Sequence, residues 1–281
     1  MILEQRQDDG IDGQTTDGSP DTDTPTDDPP VAVSIDADRL SAALDGATAV
    51  ADECRMRFDD GLVFRARDPA DVAMAEFRLD RDAFDAYTAD GETVGVALDR
   101  LRDAVSVADG EPLELALGDD GRFDLKSGAV EYTFAPLAAE TVRQVEWIDG
   151  ESVAASAVMD SGRLGRAVRA ADLVADHATF AVDPTEQRLT VVASGDTDDV
   201  SLDFDGDDLE SLDTGPDGSD PVESLYSVDY LRDIVGAVPS DVPVSVEFVG
   251  GGDGGCPLSL EHPIAEGTGT GRWLLAPRIR R

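Results

Sequence analysis

The chain is nearly without lysine: Lys126 is the single one among 281 residues, against 21 arginines. Cysteine and histidine are almost as scarce, with Cys54, Cys256, His177 and His262 the complete set. Two distant cysteines with no CxxC pair argue against a zinc site, and two histidines leave little for general acid–base work. No serine or cysteine has a recognisable catalytic partner, so both thiols are expected to be reduced packing residues. No apolar run approaches the roughly 18 residues of a membrane span, and the N-terminus lacks the basic and apolar regions of a secretion signal. The expectation is a soluble, cytoplasmic protein with no cofactor, no metal and no membrane partner.

What is abundant is acid. There are 61 acidic residues against 22 basic ones, a net of −39. Acidic surfaces with lysine removed or replaced by arginine suit a cytosol full of salt, where carboxylates hold water and keep proteins dispersed. A disordered acidic chain is excluded by the 41% of hydrophobic residues and their periodicity. Residues 1–30 are the exception: Asp, Thr, Gly and Pro dominate, with almost nothing to bury, so this stretch reads as a disordered acidic tail. Taken alone, −39 also opposes nucleic acid as a partner, because phosphate binding relies on a basic footprint.

From residue 31 the chain reads as two versions of one pattern. DADRLSAALDGATAVADE, from Asp36, matches DSGRLGRAVRAADLVADH, from Asp160, at an offset of 124 residues. Asp71-Val72 matches Asp199-Val200 at 128, and Leu101-Arg102-Asp103 matches Leu231-Arg232-Asp233 at 130. Three ordered matches with slowly growing offsets imply two homologous domains, 31–135 and 151–281, joined by a connector over 136–150. Alternating segments such as RMRF, LVFRAR and VAMAEFRL, then ATFAV, RLTVVAS and VSVEF, read as strands joined by turns. With two helices per domain beside a mostly antiparallel sheet, the class is α+β.

Between Asp160 and Asp176, Leu164, Val168, Ala171 and Ala175 recur at helical spacing, which places Arg163, Arg166 and Arg169 on the opposite face. The other helices offer Arg39, Arg100, Arg102 and Arg232, diluted by Asp99, Asp103 and Asp233. Such a face grips phosphate weakly, and at molar salt screening falls to about 3 Å. A closed ring removes the difficulty, because it stays on a duplex by enclosure and needs only a channel that does not repel it.

Enzymatic readings fare worse. GGGDGG at 250–255 satisfies GxGxxG, but CPLSLEH after it reads as a strand, whereas a dinucleotide site needs a helix there. It is expected to be a hairpin loop. Asp205, Asp207, Asp208 and Glu210 miss the spacing of a calcium loop. A carboxylate-based, metal-dependent hydrolase is the one enzyme class left open.

DECRMRF, RARDPADVAM, AADLVADH, GDTDDVSL, SVDYLRDIVGAVPSD and IAEGTGTGRWLLAPRI resemble the archaeal proliferating-cell-nuclear-antigen family of DNA sliding clamps, over nearly all of 31–281. Arg278 stands where that family's Leu-Ala-Pro-Lys-Ile element has lysine. The resemblance implies two tandem clamp domains and a homotrimer enclosing double-stranded DNA, with Arg166 and Arg169 where the family presents cations. It also implies a clamp loader, with DNA polymerase, flap nuclease and ligase docking through short peptides. Their pocket would be formed by Val72, Met74, Val145, Trp147, Pro257, Leu274, Ala276, Pro277 and Ile279. Two departures stand out: Arg67 replaces an apolar pocket residue, and the helix after Leu98 lacks the lysines of eukaryotic members. They leave open a clamp-like scaffold that recruits partners without supporting processive synthesis. Subunits are expected to meet near SGAVEYTF and TDDVSLDF, extending the sheet.

Overall fold

The structure is a computed structural model that describes residues 29–108, 111–148, 152–215, 221–250 and 255–279. Most of the acidic tail and four residues of the GGGDGG segment, 251–254, lie outside the described residues.

Strand β1 (Val31–Asp36) buries Val31, Val33 and Ile35 on one side. Its last residue stops it: the Asp36 carboxylate accepts from the Asp38 amide at 2.9 Å and caps helix α1 (Ala37–Thr48). There follow β2 (Glu53–Asp59), β3 (Gly61–Arg67), β4 (Ala73–Asp80), a 3-10 turn, β5 (Phe84–Ala89), β6 (Thr93–Ala97), helix α2 (Leu98–Ser106), β7 (Pro112–Leu117), β8 (Phe123–Ser127) and β9 (Val130–Phe134). The same order then recurs: β10 (Val153–Asp160), helix α3 (Ser161–Asp172), β11 (His177–Asp183), β12 (Arg188–Ser194), β13 (Asp199–Phe204), a 3-10 turn, β14 (Leu209–Thr214), β15 (Val222–Ser227), helix α4 (Val228–Gly236), β16 (Pro243–Val249), β17 (Leu258–Ile264) and β18 (Gly269–Leu275). Asp160 repeats the cap of Asp36, accepting from the Gly162 amide at 2.9 Å. Helix α3 is shorter than its periodicity suggests. After Asp172 the chain leaves the helix in one closing turn, with Leu173 bonded to Ala170 and both Val174 and Ala175 bonded to the Ala171 carbonyl; Ala175 lies beyond the helix and Leu173 is 86% exposed.

The fold is α+β, two tandem halves with the same order of elements, and every named strand pairing is antiparallel. Its sheets run β5-β1-β7-β8-β9, β13-β12-β11-β15, and a third of nine strands, β14-β10-β16-β17-β18-β4-β3-β2-β6. That third sheet fuses one sheet from each half. The fusion is the β18–β4 pairing, in register from Gly269↔Leu79 to Leu275↔Ala73.

Beneath this junction Phe77, His262 and Trp273 pack ring against ring, with Phe77 and Trp273 edge to face at 5.1 Å and His262 stacked on Trp273 at 5.2 Å. The Trp273 indole donates to the Gly46 carbonyl at 3.1 Å, tying the last strand to the first helix. Gly46 has to be glycine here, because a Cβ would lie 1.9 Å from Phe77 Cζ. Each half pairs its two helices, α1 with α2 and α3 with α4, on the core side of the sheets. The opposite side of the nine-stranded sheet is left to the connector.

Candidate nucleic-acid interface and partner-docking face

On the helices, apolar spacing decides what faces the sheet and leaves the charges outside. In α3, Leu164, Ala167, Val168 and Ala171 are fully buried while Arg166 and Arg169 are exposed. An open hollow of about 740 Å³ is lined by Asp38, Asp45 and Thr48 of α1, Arg102 of α2, and Arg232 and Asp233 of α4, so helices of both halves share one face. The four helices carry seven arginines and seven aspartates, which makes this face locally neutral in a chain of net charge −39.

Most of these arginines are already engaged. Arg39 donates to the Ala83 carbonyl at 3.1 Å and pairs with Glu266 at 2.7 Å, which holds its proton above the ordinary arginine value. Arg100 donates to the Tyr132 hydroxyl at 3.0 Å, and Arg102 pairs with Asp99 at 2.9 Å. Arg232 is ringed by Asp229, Asp172 and Asp233 at 3.0, 3.3 and 3.4 Å. Arg163 leaves the stripe that its spacing places it on, reaching sideways to Asp208 at 2.7 Å and to the Asp207 carbonyl. Among the described residues, Arg166 and Arg169 alone of the seven make no ion pair or hydrogen bond. A stripe of three cations therefore reduces to two.

On the outer face of the nine-stranded sheet, alternation places Arg55 and Arg57 of β2, Arg65 and Arg67 of β3, Arg78 of β4 and Arg272 of β18 on one side. The register aligns Arg55, Arg65, Glu76, Arg272 and Glu261 across successive strands. Glu76, buried to 3% exposure, is gripped by Arg65 at 2.5 Å and by Arg272 at 2.6 and 3.0 Å. Apart from Arg67 this ladder had not been singled out, although the pairs R-M-R at 55–57 and R-A-R at 65–67 carry its signal.

The connector crosses this face. Arg55 Nε donates to the Val142 carbonyl at 2.9 Å, Val145 is buried, and Trp147 lies under the Arg272 guanidinium at 4.1 Å. Gly95 and Leu137 exchange backbone hydrogen bonds, and a Cβ on Gly95 would press on Val142 and Leu137 at 2.7 and 2.9 Å.

Of the expected pocket, Met74 faces Leu274 directly across the β4–β18 pairing, with Arg67 opposite Met74 on the other side. Ala276 donates to the Val72 carbonyl at 2.8 Å, and Ile279 is 78% exposed at the end of the described chain. Pro277 packs near Gly255, and Pro257 accepts from the Val249 amide one strand further away. Arg67 and Val145 line a hollow of about 320 Å³ with Arg65, Pro69, Val142 and Arg143. At its rim Asp71 takes ion pairs from Arg143 and from Arg67, the latter at 3.0 Å. The Arg143 hydrogen bond, aided by both positive charges, holds the Asp71 carboxyl below its ordinary range. The hollow thus has a charged rim, and among the residues expected of the pocket it is lined by Arg67 and Val145.

No family model matches the chain. A DNA polymerase sliding clamp from Natronomonas pharaonis is 39% identical over 249 residues, covering 88% of this chain and 97% of that protein. The Haloarcula marismortui protein of the same name is 38% identical over the same shares. Among solved structures, a complex of the C-terminal region of FEN-1 bound to A. fulgidus PCNA is similar, with TM-score 0.80, 28% identity, and 89% of this chain and 99% of that one covered. PCNA from Thermococcus kodakaraensis aligns with TM-score 0.77 and 26% identity, over 88% of this chain and 100% of that one.

Proposed function

The chain belongs to the DNA polymerase sliding clamp family, and from that premise we propose that it works as a trimeric ring, six domains around, enclosing duplex DNA without catalysing a reaction. The domains are placed at 31–135 and 151–281, with 136–150 as connector.

One observation carries this reading. Because the halves repeat element by element, each edge strand has a counterpart in the other half: β9 corresponds to β18, and β13 to β4. β18 and β4 are paired within the chain, while among the described residues β9 and β13 both stand at open sheet edges. Open edges invite pairing, and β9 of one copy on β13 of the next repeats a junction that the fold already makes once. Such a head-to-tail contact closes into a ring when its rotation permits. Followed strand by strand from β1 and β10, the pairings carry Glu76 to Ser201, three residues away from the match of Asp71-Val72 with Asp199-Val200, and so set Val130 opposite Leu202, Tyr132 opposite Val200 and Glu131 opposite Ser201 of the neighbour.

The near-neutral helix face suits the channel, with Arg166 and Arg169 as its available cations. Retention by enclosure asks no more, so phosphate affinity is left small and sliding free. An ATP-driven loader would open one seam. Polymerase, ligase and flap nuclease would dock across the connector; in a similar solved structure the C-terminal region of FEN-1 is bound to A. fulgidus PCNA. The Arg67–Asp71–Arg143 cluster beside the connector favours a second reading in one respect, a clamp-like scaffold that recruits partners without supporting processive synthesis.

Sedimentation equilibrium in molar potassium chloride tests the ring, expecting three chains; a monomer at all concentrations would defeat the proposal. Primer extension with polymerase and loader then separates the readings, since only a processivity clamp lengthens the products.

A further inference from the structure

Beside the connector, on the side away from Met74 and Leu274, a trough of about 280 Å³ opens on the outer face of β2, β3 and β4. Arg55, Arg57, Arg65 and Arg78 line it, against Asp59 and Asp60. Arg57 pairs with Asp59 at 2.8 Å with both side chains 59% exposed, Arg65 is shared with Glu76, and Arg55 holds the connector. Arg78 has no ion pair among the described residues. Four guanidiniums against Asp59, Asp60 and the Glu76 shared with Arg65 leave one excess positive charge, carried by the unpaired Arg78, so in a chain of net charge −39 this trough is a local anion-attracting site.

The chain carries a matching anion. The 28 residues ahead of the described region hold nine carboxylates, Glu4 to Asp28, against Arg6 alone. They are also tethered nearby. Val31, at the start of β1, pairs with Ala89 at the end of β5, and Thr93, which lines the trough, follows Ala89 by four residues, at most about 14 Å of chain. On the same side Tyr87 of β5 donates to the Asp59 and Gly61 carbonyls, at 2.9 and 2.5 Å, where β2 turns into β3 beside the trough.

We propose that the acidic segment preceding Val31 folds back into this trough, an intramolecular occupant that an acidic partner segment would have to displace. Tethering supplies the affinity: a segment held this close has an effective concentration in the millimolar range. The contact stands on the trough and the tether; only its consequence for partners rests on the clamp reading.

The test uses a fluorescent peptide of residues 8–28 and fluorescence anisotropy in sub-molar potassium chloride. Three full-length chains are compared: unaltered; with Asp17→Asn, Asp21→Asn, Asp23→Asn, Asp27→Asn and Asp28→Asn; and with those changes plus Arg57→Glu and Arg78→Glu. The neutralised chain is expected to bind the peptide roughly tenfold more tightly than the unaltered one, whose trough is filled in cis. Charge reversal should abolish that binding, and rising salt should weaken it. Equal binding by the first two chains, or binding that survives reversal, overturns the proposal. So does a neutralised chain that captures poly-aspartate but not the peptide, which would assign the trough to a partner. Ring mass measured on the same samples keeps this outcome separate from the fate of the ring.

Discussion

If β9 and β13 meet as β18 and β4 do, the ion pair between Arg272 and Glu76 has no equivalent at the seam: Glu131 stands where Arg272 does, and Ser201 where Glu76 does. Asp199 and Asp203 flank Ser201 on the same face. The seam would then rest on Val130, Tyr132, Val200 and Leu202 and on backbone bonds, against carboxylate repulsion. Glu131→Arg with Ser201→Glu rebuilds the missing pair. An ion pair at a partly exposed edge contributes up to about 1 kcal/mol, so three seams gain ~3 kcal/mol, roughly a hundredfold in the trimer formation constant. Sedimentation velocity across a dilution series, in sub-molar and in molar salt, reads this directly. The double variant should hold its trimer at lower concentration in sub-molar salt, and the gain should shrink in molar salt as screening shortens to about 3 Å. Each single change should achieve less than the pair. A curve that the double variant does not move, or one moved equally at both salts, refutes the register and with it the inference from internal repetition.

Four further outcomes follow from the junction and the connector. Glu76→Ala leaves two guanidiniums facing each other over a vacated site; with Arg65 and Arg272 38% and 25% exposed, a loss of about 2 kcal/mol is expected in denaturant unfolding. Gly46→Ala forces its methyl into Phe77, and a loss of about 2 kcal/mol with altered near-ultraviolet dichroism of Trp273 should mark the parted junction. Gly95→Val should push the connector off β6, read as faster exchange of the Leu137 amide with little change in global stability. His262, buried with Nε2 unpartnered, has its pKa lowered by burial, so the unfolded chain binds the proton more readily. Stability is therefore full above about pH 6.5 and falls as pH drops through that value, a slope that His262→Phe should flatten.

Much of the fold can be read from local pattern. Asp36 and Asp160 announce both capped helices, and the alternation of RMRF, RLTVVAS and their like sets each strand's inward face. What escapes is contact between remote positions. Nothing in Gly269–Leu275 reports that it will pair with Ala73–Leu79, some 190 residues earlier, since both strands carry ordinary alternation. Arg163 illustrates the same limit at one side chain. Its spacing puts it with Arg166 and Arg169, but a long flexible arginine takes the nearest carboxylate, and Asp208 arrives on a turn the helix pattern knows nothing about. Trp147 is a third case: the tandem order puts it in the connector but says nothing of the Arg272 guanidinium that covers its ring.

The covalent joining of β4 and β18 has a mechanical consequence. Two strands on one polypeptide re-form their contact at any dilution, whereas strands on separate molecules part when the concentration falls. In a closed assembly of three such chains, alternate joints would therefore be hinges without latches, and only the other three could serve as doors. Whatever threads such a hoop onto a duplex has three places to pull, each weaker than the joint on either side of it.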